Sequence, residues 1–177
     1  MIITDLLKLK SKSDVVENED DAKKIIAELQ LALDLSNKKG TTGIGLAAIQ
    51  IGIDNKVAIV RMGDIKIDLV NCNIVKRYNK IISEEGCLSL PGIVHEVERS
   101  EQIVVMGNDF GSYKEFCAYG IVGICIQHEM DHWDGILITD KEKKNNINIG
   151  PNQPCLCGKL DLKTGKRIKY KKCCGRK

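Results

Sequence analysis

Residues 127–132 read Gln-His-Glu-Met-Asp-His, and the two histidines of this stretch, His128 and His132, are four residues apart. Side chains at this spacing on an α-helix lie on one face, one turn apart, where both imidazoles can reach a single metal ion. The carboxylate of Glu129 can lie near the same ion without binding it. The stretch therefore predicts two metal ligands and a general base on one helical turn.

The residues before this motif indicate where its helix lies. Residues 120–126, Gly-Ile-Val-Gly-Ile-Cys-Ile, are too apolar for a solvated face and predict a helix that enters the core. A surface helix that carries two histidines and an acid by chance is the alternative at this point, because short motifs recur.

Composition places the chain among globular cytoplasmic proteins. Hydrophobic residues make up 43% and charged residues 29% of its 177 residues, ordinary values for a globular protein. Residues 1–14 lack the apolar core of a signal peptide, because Asp5, Lys8 and Lys10 interrupt them. The longest apolar run, residues 121–126, is far shorter than the ~18 residues of a membrane span. We therefore expect no membrane partner.

Cysteine content and charge distribution predict a main domain over residues 1–148 and a small tail over residues 149–177. Eight cysteines without a secretion signal indicate metal ligands and buried thiols rather than disulfides. Residues 155–177 hold nine Lys or Arg and one acid, whereas the rest of the chain holds 18 basic and 23 acidic side chains. Gly150-Pro151 is typical of a linker between the two parts.

The remaining segments predict an α+β domain, with short antiparallel sheets packed around a central helix that carries residues 128–132. Apolar residues recur at helical spacing in residues 20–37, which predicts an amphipathic helix. No βαβ alternation is present, which argues against a doubly wound sheet. Strands are expected at residues 56–61, 65–70 and 103–106, with one or two hairpins from residues 74–82 and 112–118.

A glycine-rich segment, residues 43–50, reads Gly-Ile-Gly-Leu-Ala-Ala-Ile-Gln. Its two glycines allow another chain to approach closely, or they form a tight turn into a buried strand or helix. Gln50 closes an apolar run. A buried amide must be hydrogen-bonded, so its side chain is satisfied by backbone groups or directed at a ligand.

Cys87 differs from the other cysteines of the main domain. Buried structural thiols are the ordinary interpretation, and we expect it for Cys72, Cys117 and Cys125. Cys87 lies next to a glycine in residues 84–92, Glu-Glu-Gly-Cys-Leu-Ser-Leu-Pro-Gly, a segment expected to form a loop. A two-histidine site needs a further protein ligand, and this thiolate could complete a Cys-His-His site with an open fourth position.

Three motifs now stand in order: residues 43–50, residues 85–89 (Glu-Gly-Cys-Leu-Ser) and residues 128–132 (His-Glu-Met-Asp-His). Together they resemble the peptide deformylases, over about residues 20–140. The resemblance implies a metal-dependent hydrolase that removes the formyl group from the N-formylmethionine of nascent polypeptides and releases formate. The bond cleaved is a linear amide, not a peptide bond. The metal implied is Fe²⁺, with Zn²⁺, Ni²⁺ or Co²⁺ as alternatives.

The same resemblance implies roles for individual residues. Metal-bound hydroxide attacks the formyl carbon, and Glu129 acts as the general acid and base. The side-chain amide of Gln50 and the backbone N–H of Leu88 donate to the oxyanion. The metal ligands implied are Cys87, His128 and His132.

A dry pocket for the methionine side chain is expected on one face of the motif helix. The peptide would lie alongside the glycine-rich segment as an added strand. Glu85 and Arg99 form either an ion pair that fixes the cysteine loop or a solvated surface pair. The residues expected to line the substrate site are Ile44, Gly45, Gly86, Ile121, Ile124 and Cys125.

The C-terminal tail departs from the family, whose members commonly continue into a long helix. Its four cysteines are enough for a closed tetrahedral zinc site, similar to the SEC-C zinc knuckle, although the inner loop of residues 158–172 is longer. Basic side chains around a zinc knuckle favour ribosomal RNA as the partner, with no role for DNA. A zinc-stapled cap in place of the missing helix is the alternative. The zinc ligands expected are Cys155, Cys157, Cys173 and Cys174.

Two other functions compete with a deformylase. One is a ribosome- or protein-binding module with a vestigial hydrolase fold, which the retained Glu129 and Gln50 disfavour. The other is a zinc-dependent peptidase, which the Cys87 motif disfavours. Cleavage of an unformylated peptide bond would identify the peptidase.

Overall fold

Six strands and three α-helices are present in a computed structural model that describes residues 1–110 and 112–141, and residues 152, 164, 168, 169 and 172 beyond them. The chain divides into two compact units, Met1–Lys143 and Lys144–Lys177. The domain boundary after residue 148 stays a prediction. The predicted zinc ligands lie outside the described residues: Cys155, Cys157, Cys173 and Cys174.

The helices are α1 (Leu6–Leu9), α2 (Glu19–Lys38) and α3 (Gly120–Trp133), with single 3₁₀ turns at Ala48–Ile51 and Ile138–Lys141. Helix α2 confirms the amphipathic helix predicted at residues 20–37. Asn18 caps its N-terminus, and the side chain of this residue accepts a hydrogen bond from the backbone N–H of Asp21 at 2.8 Å. Acids fill its first turn, where they interact favourably with the helix dipole.

The strands form two antiparallel sheets of three. The first sheet has the order β1-β2-β3 and the second has the order β4-β5-β6. The strands of the first sheet are β1 (Gly45–Ala47), β2 (Val57–Met62) and β3 (Ile65–Val70). Those of the second are β4 (Asn73–Cys87), β5 (Leu90–Asp109) and β6 (Ser112–Tyr119).

The α+β class with antiparallel sheets is confirmed, but β4 and β5 are far longer than expected. They span 15 and 20 residues and pair along most of their length. The strand predicted at residues 103–106 is only part of β5. These residues are recognisable in the sequence because Ile103 and Val105 are apolar and fully buried. The expectation that Cys87 lies in a loop is wrong, because this residue ends β4.

Helix α3 packs against β1, β2 and β5, as expected for a helix that enters the core. Ile126 is fully buried, and the indole N–H of Trp133 donates to the carbonyl of Val57 on β2 at 3.3 Å. None of the helices in the described part of the chain is both long enough and apolar enough to cross a membrane.

Two of the three cysteines predicted as buried thiols are buried. Cys72 and Cys125 are 5% and 6% exposed. The prediction for Cys117 is wrong, because this residue is exposed on β6. Side chains alternate between the two faces of a strand, and its neighbour Ala118 takes the inward position.

Candidate metal centre and active site

Helix α3 places His128 and His132 side by side. Their ring centroids are 5.1 Å apart and the ring planes cross at 72°. His132 is 1% exposed and His128 is half-buried. The four-residue spacing thus produces the adjacency that a helix dictates.

The β4–β5 hairpin brings Cys87 to the two histidines. Cys87 ends β4, directly before the two-residue turn Leu88–Ser89, and the strand register shifts between Gly86 and Cys87. Irregularities of this kind re-aim side chains. The Sγ atom of Cys87 lies 3.4 Å from Nε2 of His132. One ligand atom from each of Cys87, His128 and His132 lies within 4.8 Å of the others.

These three side chains fit a divalent transition metal. One thiolate and two imidazoles are suitable ligands and leave a fourth position open. Burial and the nearby charge of His128 lower the pKa of His132 to about 3, so its ring is neutral and has a lone pair to donate. Burial also lowers the pKa of His128, but hydrogen bonds to Cys87 and Glu85 outweigh it and raise this pKa to about 10. A metal ion bound there would have to displace the proton from that ring.

The two histidine rings are held differently. Nδ1 of His128 lies 3.0 Å from a carboxylate oxygen of Glu85. The buried Nδ1 of His132 has no hydrogen-bond partner among the residues that the structure describes. Packing and the Cys87 contact at Nε2 therefore hold His132, whereas a charged partner at Nδ1 orients His128.

Glu85 and Arg99 form a buried ion pair. The guanidinium donates to both carboxylate oxygens, each at 2.7 Å, and the side chains are only 6% and 2% exposed. Burial opposes ionisation, but hydrogen bonds from Arg99 and His128 lower the pKa of Glu85 to about 2. The alternative of a solvated surface pair is therefore wrong. The ion pair also does more than support the cysteine segment, because it reaches a histidine.

Glu129 is a buried carboxylate beside β1. It is 3% exposed, and its Oε2 has no hydrogen-bond partner within the described part of the chain. A Cβ atom on Gly45 would overlap Oε1 of Glu129 and lie 2.5 Å from Sγ of Cys125. Burial raises the pKa of Glu129 to about 7. A carboxyl group with such a pKa can both accept and release a proton near neutral pH.

Gln50 lies in the 3₁₀ turn after β1 and is 2% exposed. Its side-chain oxygen accepts from the backbone N–H of Ala47 at 2.8 Å. Its amino group donates to Oγ of Ser89 at 3.2 Å and faces Sγ of Cys87 at 3.5 Å. Backbone therefore satisfies one end of the amide, as one of the two expectations has it, while the other end lies beside Cys87 and its role toward a ligand stays a prediction.

The remaining predicted residues surround this cluster unevenly. Leu88 lies in the β4–β5 turn, and its side chain covers Gly43 so closely that a Cβ there would lie 2.6 Å from Cδ1 of Leu88. Gly45 lies against Cys125, and Ile44 packs on the same core cluster as Cys125. The others lie in β4 (Gly86) and on α3 (Ile124, half-buried, and Ile121, 56% exposed).

Two further polar side chains belong to the site but were not singled out by the sequence patterns. Ser89 is 1% exposed and binds Gln50. Asp131 accepts from Arg99 and pairs with Lys141 at 2.5 Å. Each lies inside one of the quoted motifs, so a polar residue within a motif was the available signal.

An antiparallel α+β fold that gathers a thiol, two imidazoles and a buried acid has the makeup of a metal-dependent hydrolase. Residues 3–147 match the model of the polypeptide deformylase family. The chain belongs to the peptide deformylase family, whose members are metal-dependent enzymes that remove the N-terminal formyl group of nascent peptides. The predicted deformylase activity is thereby confirmed.

Known deformylases resemble the chain in sequence and in structure. The peptide deformylase of Dictyoglomus thermophilum is 38% identical over 141 residues, which cover 78% of this chain and 89% of the relative. That of Syntrophomonas wolfei is 41% identical over 106 residues, or 59% of this chain and 70% of the relative. The crystal structure of the Thermotoga maritima peptide deformylase superposes with a TM-score of 0.71 at 31% identity, covering 81% of this chain and 97% of that one.

Proposed function

We propose that Cys87, His128 and His132 hold one divalent metal ion at which the formyl group is hydrolysed. The observation that carries this proposal is the convergence of their ligand atoms to within 4.8 Å. When bound, the ion supplies a Lewis acid that polarises the formyl oxygen and makes water acidic enough to attack near neutral pH. Fe²⁺ is the metal we expect, and Zn²⁺, Ni²⁺ and Co²⁺ suit the same mixed ligand set.

Glu129 moves the protons of the reaction. Its carboxylate takes a proton from the attacking water and delivers it to the departing amine nitrogen, so that formate and a free N-terminus result. Burial raises its pKa to about 7, which supports both the uptake and the release of a proton. Its Oε2, which has no hydrogen-bond partner in the part of the chain that the structure describes, is available for the reaction.

The side-chain amide of Gln50 and the backbone N–H of Leu88 stabilise the developing oxyanion. Ala47 holds the oxygen end of the Gln50 amide at 2.8 Å, which keeps the amino end directed toward Cys87. Leu88 directly follows Cys87, so its N–H is close to the same position. Donors fixed in advance lower the barrier because nothing reorganises during the reaction.

The substrate is a nascent peptide that begins with N-formylmethionine. Ile44, Ile121, Ile124 and Cys125 supply apolar surface for the methionine side chain. Strand β1 is an edge strand, because it pairs only with β2 among the described strands of its sheet. Its other edge is therefore available to the peptide, which would lie between Gly45 and Gly86. Recognition through main-chain groups suits an enzyme that meets many sequences after the same first residue.

Formate release from formyl-Met-Ala-Ser tests the function directly. The protein is purified under reducing, anaerobic conditions and assayed beside acetyl-Met-Ala-Ser and unformylated Met-Ala-Ser. We expect formate from the first peptide and no product from the other two. Release of free methionine from the unformylated peptide would indicate a peptidase instead.

For the tail we propose a structural zinc ion held by four thiolates, with ribosomal RNA as the partner of its basic side chains. The reducing cytoplasm, where formylated chains are made, favours zinc over disulfides. The local excess of nine basic residues over one acid in residues 155–177 supports an RNA partner. A cap that replaces the family's C-terminal helix is the competing role. The ligands proposed are Cys155, Cys157, Cys173 and Cys174.

A further inference from the structure

A continuous chain of charged side chains lies behind one of the proposed metal ligands. Nδ1 of His128 contacts Glu85 at 3.0 Å, and Glu85 binds Arg99 through both carboxylate oxygens at 2.7 Å. The third nitrogen of the Arg99 guanidinium donates to Asp131, which pairs with Lys141 at 2.5 Å. This chain of contacts begins at His128 on α3, passes through β4 and β5, returns to α3 at Asp131 and ends in the 3₁₀ turn at Lys141.

Arg99 depends on two carboxylates. It is 3% exposed and is the one lysine or arginine among the buried residues of the described chain. A buried cation is stable only when its charge and its donors are both matched. Glu85 already shares one oxygen with His128, so Asp131 supplies the remaining acceptor and fixes the orientation of the guanidinium fork.

The backbone around Arg99 makes this arrangement rigid. The side-chain amide of Gln127 on α3 accepts from the N–H of Ser100 at 3.0 Å and donates to its carbonyl at 2.8 Å. The helix is therefore fastened to β5 one residue after Arg99. The separation between Asp131 and Arg99 is consequently held by two buried hydrogen bonds between the Gln127 side chain and the backbone of Ser100.

The location of Asp131 disfavours a role in helix stability alone. It lies in the last turn of α3, where a negative side chain interacts unfavourably with the helix dipole. Its side chain is 18% exposed and contacts two cations, Arg99 and Lys141. Its contact with the buried Arg99 gives a carboxylate at this position a physical reason.

We propose that Asp131 is a positioning residue for the metal centre: through Arg99 and Glu85 it holds the His128 ring with Nε2 directed at the metal, and Lys141 holds Asp131 in turn. This inference rests on the proposed role of His128 as a ligand. Partners behind a metal-bound histidine fix its ring orientation, and their loss lowers metal affinity. The proposal thus adds Asp131 and Lys141 to the residues on which the metal site depends.

The test is the rate at which Co²⁺-loaded enzyme loses its metal to a chelator, followed by the visible absorption of the cobalt. Asp131→Asn should speed dissociation by about tenfold and change the absorption band, because second-layer changes of this type cost ~10–100-fold in affinity. In steady-state assays kcat should fall by a similar factor and KM should stay unchanged. Asp134→Asn is the matched control, since it removes the same charge three residues later on an exposed residue.

Two further variants separate positioning from mere stability. Lys141→Gln changes a side chain that is 30% exposed and should raise the dissociation rate in the same direction by a smaller factor. Arg99→Lys keeps the charge but loses the fork, and adding Asp131→Asn to it should have no further effect on dissociation. Equal dissociation rates for Asp131→Asn and Asp134→Asn, or additive effects in the double variant, would overturn the proposal.

The outcome is independent of the function assay. A wild-type enzyme that releases no formate, but whose cobalt loss is accelerated by Asp131→Asn, would contradict the proposed catalysis and support this inference. Formate release by the wild type together with identical metal loss in both Asp→Asn variants would do the reverse.

Discussion

Glu129 is buried, its Oε2 has no hydrogen-bond partner among the described residues, and burial raises its pKa to about 7. We predict that Glu129→Gln, which keeps the shape of the side chain, lowers kcat by about 10²–10⁴-fold because a positioned proton carrier is lost. The metal content should stay at the wild-type level. Formate release and elemental analysis of the same sample measure both. Loss of the metal would instead make Glu129 a ligand.

Gly45 is required because no space exists for a side chain there. A Cβ would overlap the Glu129 carboxylate and lie 2.5 Å from the Cys125 sulfur. Overpacking of this kind costs about 1–3 kcal/mol, so we predict that Gly45→Ala lowers the free energy of unfolding in urea by that amount.

Gly86→Ala is the matched control, since its Cβ would find only the carbonyl oxygen of Ile93 at 3.8 Å. It should leave the free energy of unfolding within ~0.5 kcal/mol of wild type. Equal loss in both variants would mean that the contact with Glu129 does not limit this position.

At this scale the sequence predicts contacts along the helix better than contacts across the fold. The spacing of His128 and His132 determines their adjacency, since one helical turn separates them. Glu85 was expected to support the cysteine segment, but it binds His128, which is 43 residues away in sequence. Nothing local in the sequence encodes a pairing that depends on how α3 packs against the β4–β5 hairpin.

Among the elements, the β4–β5 hairpin was the least predictable. Most side chains of β4 are exposed or half-buried, so the strand lacks the alternation of apolar and polar residues by which strands are recognised. Helix α2 has a clear apolar stripe, with Ile25, Leu29 and Leu33 buried, and its predicted range was accurate. Amphipathic elements can be predicted from the sequence because the face that packs on the core is apolar. Exposed paired strands are held by backbone bonds that any sequence can make.

The fastening of α3 to β5 gives a prediction for these two elements. Gln127→Leu would leave the buried N–H and carbonyl of Ser100 without their side-chain partner, at a cost of about 1–3 kcal/mol in the free energy of unfolding. Urea unfolding of the variant measures this loss. Gln102→Leu is the control, because the side chain of Gln102 makes a 3.5 Å contact with the exposed Tyr119 hydroxyl and holds no buried backbone group among the described residues. Similar losses in the two variants would contradict a special role for Gln127.

At the scale of the whole molecule, sequence patterns define the main domain more completely than the tail. Three motifs spread over residues 43–132 identify the family, because each supplies part of one site. The tail offers only cysteine spacing and charge, which define a ligand set and a class of partner without a fold. The four thiolates therefore stay a prediction.

Deletion of residues 151–177 tests the tail. We predict unchanged turnover of formyl-Met-Ala-Ser, since the proposed catalytic residues precede the deletion, and a decrease from two metal ions per chain to one. Ribosome co-sedimentation of the full chain should weaken steeply with salt and be lost in the truncated chain. Loss of tripeptide turnover would instead favour the structural cap.

The turn Leu88–Ser89 joins a metal ligand to both proposed oxyanion donors, and this has a consequence for exposure to air. Oxygen added to the Cys87 sulfur, which lies 3.5 Å from the Gln50 amino nitrogen, would create a new hydrogen-bond acceptor beside that amino group and compete for it. Ligation and transition-state stabilisation would thus fail together. Resupplying metal to an air-inactivated sample should restore nothing until a thiol reductant has first returned the sulfenic acid to the thiol.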